Sequence, residues 1–197
     1  EKIDLKGSPK ILISASEYRL HKRLQEAIKL INYMSIEYPD IKLHILGKPD
    51  KLTNRAIKRI DLSRCIFHGK LDPKELPSFY SSCDLQLSLS IFDPCPNVVC
   101  EGLASGLPVV TPYQSGAYEL IGNENKIWAF DEGFNLEYKI LHLEEYIPKI
   151  PLKEYKNIVI KILKDLKIQK LNARLRAENE LDINKIIKKY TSFIIDN

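Results

Sequence analysis

The sequence predicts an α/β fold, in which a doubly wound parallel sheet of about six strands is followed by a C-terminal helical extension. Short apolar runs of strand character alternate with segments of helical period through the first two thirds of the chain. A strand-helix-strand order repeated five times implies right-handed crossovers between parallel strands. The last third of the chain has helical periodicity alone.

Six short runs are the predicted strands of this sheet. Each combines β-branched and other apolar residues and is bounded by a turn or a polar segment. They are 10–16 (KILISAS), 41–47 (IKLHILG), 64–69 (RCIFHG), 85–90 (LQLSLS), 108–112 (PVVTP) and 126–130 (KIWAF).

Helical segments lie between these strands and after them. The first is 20–37, and the others between strands are 50–60, 73–82, 97–105 and 115–121. Residues 131–150 break the rhythm with a polar stretch and are expected to form a loop. Three amphipathic helices follow, at 152–167, 168–180 and 184–195, and their apolar faces must be covered by the sheet or by something outside this chain.

The composition is that of an ordinary globular protein. Apolar residues make up 44% and charged residues 28% of the 197 residues, which is close to average usage. No apolar run approaches the roughly 18 to 20 residues that a membrane-spanning helix needs. The N-terminus lacks the basic-then-apolar order of a signal peptide. A soluble, cytoplasmic protein is therefore expected.

Charges and cysteines favour neither nucleic-acid binding nor a metal site. The net charge of +4 is spread along predicted helix faces, without a basic stripe interleaved with aromatic residues. Cys65, Cys83, Cys95 and Cys100 show no metal-ligand spacing and lie in or beside apolar runs. Reduced thiols of a cytoplasmic protein have this distribution.

The turn after the first strand is one candidate ligand site, because open parallel sheets bind ligands at the carboxyl ends of their strands. In SASEYRLHKRL, Arg19 and Lys22 carry long cationic side chains that could reach a phosphate. A solvated helix start is the simpler interpretation of the same residues. Against it, the helix dipole disfavours bases at a helix N-terminus unless an anion is bound there.

The turn after the fourth strand, DPCPNVVCEGLASGLPVV at 93–110, is the second candidate. If a helix begins near Asn97, the amides from Asn97 to Val99 point into the crevice and can hold a diphosphate. Asp93 and Glu101 would then face the ligand from two sides, and carboxylates accept hydrogen bonds from sugar hydroxyls. An Asx-type turn at Asp93 and an exposed helix position at Glu101 are the alternatives.

These segments resemble the family 4 (group 1) retaining glycosyltransferases. Asp93-x7-Glu101 is similar to the family's Glu-x7-Glu signature, GLASGLPVV to its Glu-Ala-x-Ala-x-Gly-x-Pro-Val-Val unit, and SGAYEL to its Gly-Gly-x-x-Glu turn. Upstream, YRLHKRLQEAIKL, PDIKLHILG and IFHGKLDPKELPSFYSSCDLQLSLS follow in the family's order. The resemblance covers about residues 10–130, and its collinear segments make it specific.

The resemblance implies the C-terminal, donor-binding half of a GT-B enzyme, in which two Rossmann-like domains close over a cleft. Residues 10–150 would form the Rossmann-like nucleotide-sugar-binding domain, with 1–9 as a linker. Residues 151–197 would pack on that domain or toward a missing N-terminal domain. The donor would be a UDP- or GDP-linked sugar and the acceptor a glycan or lipid of cell-envelope polysaccharide biosynthesis. No cofactor or metal is expected, since the strand-end loops contain no Asp-x-Asp cradle.

Three side chains would perform the chemistry, by the same resemblance. Lys22 would bind the donor diphosphate and offset the charge that builds on the leaving group. Glu101 would hydrogen-bond the ribose, and Asp93 would contact hydroxyls of the transferred sugar. The family's usual Glu at the first position is here Asp93, one methylene shorter, so its reach to the sugar is reduced.

Backbone groups would complete the donor site. The amides of Asn97 and Val98 would hold the phosphates, and the stretch from Gly69 to Leu71 would lie by the base. The glycine that is usual in the phosphate turn is here Pro96, which removes one amide donor.

One cation of the family pattern is absent. The arginine that commonly stands five residues before the lysine is here Glu17. Arg19, two residues further on, is the candidate to supply the missing charge at the phosphates.

Other interpretations stay open. The chain could be a non-catalytic Rossmann-like module that binds a nucleotide or nucleotide-sugar, and the sequence separates this poorly from a transferase. A dinucleotide oxidoreductase is disfavoured because no Gly-x-Gly-x-x-Gly follows the first strand. A sugar epimerase fits the signature spacing less well than a transferase does.

The chain is expected to act as half of an enzyme. Without an acceptor-binding N-terminal domain, it should bind donor weakly and transfer sugar slowly or not at all. Helix 184–195 would cross toward that domain, and the full protein could associate peripherally with the inner face of the membrane.

Overall fold

The structure is a computed structural model that describes residues 2–133 and 147–195. Its strands are β1 (Lys10–Tyr18), β2 (Lys42–Pro49), β3 (Cys65–Gly69), β4 (Leu85–Leu87), β5 (Val109–Pro112) and β6 (Ala129–Phe130). Neighbouring strands are parallel, and their order is β3-β2-β1-β4-β5-β6. This order has a topological switch point between β1 and β4. The predicted Rossmann-like fold class is confirmed.

Eight helices connect and extend the sheet within the described residues. They are α1 (Leu24–Met34), α2 (Lys51–Ile57), α3 (Leu76–Ser82), α4 (Asn97–Ala104), α5 (Gly116–Ile121), α6 (Leu152–Lys164), α7 (Leu166–Glu180) and α8 (Ile183–Ile195). Helix α1 packs beside α2, whereas α4 packs between α3 and α5. With right-handed crossovers, these two groups cover opposite faces of the sheet.

The core follows from the apolar patterning. The central strand β1 is covered on both faces, so its consecutive residues Ile11, Leu12 and Ile13 are all buried. The inward face of α1 carries the apolar residues at helical spacing, and all of them are buried: Leu24, Ala27, Ile28, Ile31 and Met34.

The predicted single helix at 20–37 is wrong. Leu20–Lys22 is instead a short 3-10 helix, and Arg23 adopts the left-handed conformation with φ of 55° before α1 begins at Leu24. A left-handed residue cannot continue a right-handed helix, so it separates the two elements. Lys22 thus lies in the 3-10 helix, two positions before the first residue of α1, and Arg19 precedes both elements.

Two predicted strands are also shorter than expected. The run at 126–130 lies mostly in a 3-10 helix, Asn123–Trp128, with only Ala129–Phe130 paired in the sheet. Trp128 is fully buried and its indole Nε1–H donates to Gln169 Oε1 at 2.7 Å, so a tertiary contact overrides the local strand preference. The strand predicted at 85–90 ends at Leu87.

The C-terminal helices differ in how they meet the sheet domain. Helix α6 packs against α1 and α7 against α4, whereas α8 contacts α7. On α8, five apolar side chains are more than half exposed: Ile183, Ile187, Tyr190, Phe193 and Ile194. Of the loop predicted at 131–150, residues 134–146 lie outside the described part of the chain. No helix in the described residues is both long and apolar enough to cross a membrane.

Candidate functional site

The turns after β1 and β4 meet at the switch point of the sheet. The amide of Ile91 donates to the carbonyl oxygen of His21 at 3.3 Å, which joins the two turns. Lys22 and Asp93, 71 positions apart in sequence, form an ion pair between the Lys22 ammonium and the Asp93 carboxylate. Their side chains are 25% and 19% exposed, so a ligand can reach both.

The start of α4 lines the same crevice. A narrow crevice between β1 and β4 is bordered by Lys22, Asp93, Pro96 and Val98. Helix α4 begins at Asn97, and no side chain caps its N-terminus. The amide of Val99, which was expected to be available, donates to the Pro96 carbonyl oxygen at 2.9 Å. The structure records no acceptor among the described residues for the amides of Asn97 and Val98, as is usual for the first amides of a helix.

Glu101 is held in place by Tyr80, a residue outside the predicted site. The Tyr80 hydroxyl donates to Glu101 Oε2 at 3.1 Å and lies 2.9 Å from the hydroxyl oxygen of Ser14, at the middle of β1. Burial raises the pKa of Tyr80 and the Glu101 carboxylate adds to the rise, so the phenol stays protonated and donates. Tyr80 stands near the end of α3, within the segment IFHGKLDPKELPSFYSSCDLQLSLS, but nothing in that segment indicates its contact with Glu101.

Two glycines allow close packing: Gly116 between the turn after β4 and the start of α5, and Gly102 between α4 and the sheet. The Gly116 amide donates to the Asp93 carbonyl oxygen at 3.1 Å, and a Cβ at Gly116 would lie 1.9 Å from the Pro94 carbonyl oxygen. A Cβ at Gly102 would lie 2.0 Å from Oε1 of Gln86. Any larger side chain would displace the backbone or side chain it meets, which gives a steric reason for glycine in the SGAYEL and EGLASG segments.

An open cleft of about 720 Å³ adjoins the ion pair on the side of Asp93. Its wall combines apolar residues, including Phe92, with polar side chains that donate or accept hydrogen bonds. These polar residues are Arg19, His21, Asp50, Asp93 and Gln114. Burial lowers the pKa of His21, and Lys22 and Arg19 lower it further. The imidazole is therefore neutral at pH 7 and can both donate and accept.

The remaining predicted residues lie at this edge without joining the Lys22–Asp93 cluster. Arg19 Nε lies 3.2 Å from Glu17 Oε2, and both side chains are more than half exposed. Gly69 ends β3. Leu71 is half-buried and packs against a small apolar cluster that includes Tyr80.

The cysteines and the other metal-ligating residues suggest no further chemistry here. No group of three or more His, Cys, Asp or Glu residues in the described ranges could hold a metal ion. The four cysteines are free thiols, of which Cys83 is buried and Cys95 exposed. Burial raises the pKa of Cys65 to about 11 and that of Cys83 to about 12, so both stay protonated at neutral pH.

A doubly wound parallel sheet with a lysine and a helix start at its switch point is typical of the α/β proteins that bind phosphorylated ligands. The chain belongs to the glycosyl transferases group 1, because the model of that family matches residues 1–147. The curated relative WcaC of Escherichia coli (strain K12), named as a colanic acid biosynthesis glycosyl transferase, is 26% identical over 119 residues. That alignment covers 60% of this chain and 27% of WcaC.

Solved structures share the fold. The Anabaena protein HepE in complex with UDP is 19% identical, with a TM-score of 0.72 over 95% of this chain and 49% of HepE. The C-terminal domain of the group 1 protein LpcC from Francisella tularensis is 20% identical, with a TM-score of 0.67 over 90% of this chain and 88% of that domain. The chain thus spans about half of HepE and about a quarter of WcaC.

Proposed function

We propose that this chain is the nucleotide-sugar donor-binding half of a retaining glycosyltransferase. The observation that carries the proposal is the convergence of the Lys22 ammonium, the Asp93 carboxylate and the start of α4 on one crevice at the switch point. The cation and the amides suit the diphosphate of a nucleotide-sugar. The acceptor oxygens of the carboxylates suit the hydroxyls of its ribose and of its transferred sugar.

The diphosphate is assigned to Lys22 and to the amides of Asn97 and Val98. The partial positive charge of a helix N-terminus and its unpaired amides favour an anion. Lys22 adds a full charge, which can offset the negative charge that develops on the leaving diphosphate. Asp93 pairs with this ammonium in the structure, so a bound diphosphate would share Lys22 with Asp93.

The ribose and the transferred sugar are assigned to the two carboxylates. Glu101 is oriented by Tyr80 and, as a carboxylate, offers only acceptors to the ribose hydroxyls. Asp93 lies between the phosphate crevice and the open cleft, so its second carboxylate oxygen can accept from a sugar hydroxyl. The segment from Gly69 to Leu71 is assigned to the base.

The donor is proposed to be a UDP-linked hexose. HepE has been solved with UDP and with UDP-glucose, which favours uridine over guanosine. WcaC is named for colanic acid biosynthesis, which supports a glycan or lipid acceptor of the cell envelope on the cytoplasmic side. Transfer is proposed to need an N-terminal acceptor domain and no metal.

Titration calorimetry with UDP, GDP and ADP, followed by UDP-glucose, tests this proposal. We expect UDP to bind, and Glu101→Ala to weaken the binding of both UDP and UDP-glucose by about 1.5 to 3 kcal/mol, the value of a hydrogen bond to a charged group. Asp93→Ala should weaken UDP-glucose more than UDP, because Asp93 is assigned to the sugar. The matched control is Glu178→Ala, an exposed glutamate on α7, which should leave both affinities unchanged.

Two results would contradict the proposal. One is a folded chain that binds none of the three nucleotides. The other is equal weakening by Glu101→Ala and Glu178→Ala, which would show that the Glu101 carboxylate does not contact the nucleotide.

A non-catalytic nucleotide-binding module is the second candidate, and one observation favours it. Asp93 is engaged with Lys22 and is one methylene shorter than glutamate, so its reach to a sugar is limited. Turnover with an N-terminal domain supplied from the full protein separates the two. A transferase releases UDP from UDP-glucose when acceptor is present, and a binding module does not.

A further inference from the structure

Arg23, the residue directly after Lys22, combines two features that are unfavourable in free energy: a left-handed backbone and a buried charged side chain. Its backbone is left-handed, with φ of 55°, and it is the one non-glycine residue with positive φ in the described parts of the chain. Its side chain is fully buried. Glycine adopts this conformation without strain, whereas a side chain does not.

The guanidinium of Arg23 forms a bidentate ion pair with the buried carboxylate of Glu132. Nη1 and Nη2 donate to the two oxygens of Glu132 at 2.9 and 2.8 Å, and the Glu132 side chain is 2% exposed. The Tyr155 hydroxyl of α6 donates to Glu132 Oε1 at 2.6 Å. A bidentate pair of this kind fixes both the position and the orientation of the arginine.

The backbone of Arg23 connects this network to the turn that carries Lys22. Its amide donates to the Leu20 carbonyl oxygen at 2.9 Å, which closes the 3-10 helix. Its own carbonyl oxygen accepts from the amides of Glu26 and Ala27, at 3.0 and 3.1 Å, which starts α1. A fixed Arg23 side chain therefore fixes the backbone on both sides of the junction, and with it the direction of the Lys22 side chain.

Stability alone does not account for this arrangement. A buried ion pair often contributes no more than an apolar replacement of similar volume, because two charges must be desolvated. Backbone strain of this kind is characteristically found where function requires a defined geometry. Here both costs fall on the residue next to the lysine that is assigned to the diphosphate.

We propose that Arg23 is a positioning residue, and that the Arg23–Glu132–Tyr155 network holds the Lys22 ammonium at Asp93 and over the phosphate crevice. A role of this network in catalysis rests on the proposed donor site. The positioning of Lys22 by the network does not depend on that proposal. The network also ties the site to α6, through Tyr155.

The test uses the double variant Arg23→Gly/Glu132→Gln. Glycine accepts the left-handed backbone, and glutamine leaves no unpaired charge beside Tyr155, so the variant is designed to fold; circular dichroism checks this. Tyr155→Phe is a milder second variant, since it removes only one hydrogen bond. The first readout is the rate at which an amine-acylating reagent modifies Lys22, measured by peptide mass spectrometry, with exposed Lys58 as internal reference.

We expect acylation of Lys22 to become faster in the double variant, with a smaller rise in Tyr155→Phe, and no change at Lys58. An ammonium held against Asp93 is shielded from the reagent, and a released one is not. An unchanged Lys22 rate in the folded double variant would overturn the proposal.

The second readout is UDP affinity in a double-mutant cycle. The double variant should bind UDP roughly tenfold more weakly than the wild type. In the Lys22→Ala background, adding the same double substitution should weaken UDP binding no further. An equal loss in both backgrounds would mean a purely structural role and would overturn the proposal. Faster Lys22 acylation in a chain whose wild type binds no nucleotide would uphold the positioning and reject the donor site.

Discussion

Lys22→Ala is expected to weaken UDP binding by about 1.5 to 3 kcal/mol, or roughly 10- to 150-fold in Kd. The substitution removes the cation of the crevice. It also leaves the Asp93 carboxylate, 19% exposed, facing the phosphates without its counterion, and like charges repel. Titration calorimetry at fixed ionic strength measures the change, because screening by salt weakens such interactions.

The matched control for this variant is Lys58→Ala, an exposed lysine at the end of α2. It changes the net charge equally and should leave the affinity unchanged. If Lys22→Ala and Lys58→Ala bind UDP alike, Lys22 does not contact the diphosphate and its ion pair with Asp93 is a surface feature of the turn.

Trp128→Ala is expected to lower the free energy of unfolding by about 3 to 5 kcal/mol, as truncation of a buried aromatic side chain does. Trp128 is fully buried, and its Nε1–H is the hydrogen-bond donor to Gln169 on α7. The loss combines a cavity beside β6 with an unsatisfied amide oxygen on α7. Urea unfolding followed by circular dichroism measures it without relying on the fluorescence of the lost tryptophan.

Two further variants separate the contributions to this loss. Trp128→Phe keeps a ring but removes the donor, and should cost about 1 to 3 kcal/mol. The neighbouring Ile127 is half exposed, so Ile127→Ala should cost much less than Trp128→Ala. A loss below about 1 kcal/mol in Trp128→Ala would contradict the account, because α7 would then not be anchored to the sheet through this residue.

Much of the fold could be predicted because the hydrophobic pattern changes period at each element. The run from Ile11 to Ile13 and the helical spacing in α1 both report burial directly. The rule that ligands bind at the carboxyl ends of parallel strands predicts Lys22 and Asp93 as site residues, and the structure places the two in contact. Their roles at a donor remain predictions.

What the sequence did not reveal depends on contacts between distant residues. Ser14, Tyr80 and Glu101 lie on three different elements, and no local pattern signals that one phenol joins them. The break at Arg23 was missed because arginine is a good helix former. Its left-handed backbone is accompanied by an ion pair with Glu132, 109 positions away.

The central claim is that a nucleotide diphosphate binds at the switch point, and an NMR titration of the isotope-labelled chain with UDP tests it most directly. We predict the largest chemical-shift changes at the backbone amides of Asn97 and Val98, with changes at Lys22 and Glu101 and none along α8. Shifts confined to other surfaces, or no shifts in the folded chain at millimolar UDP, a concentration that detects even weak binding, would contradict the account.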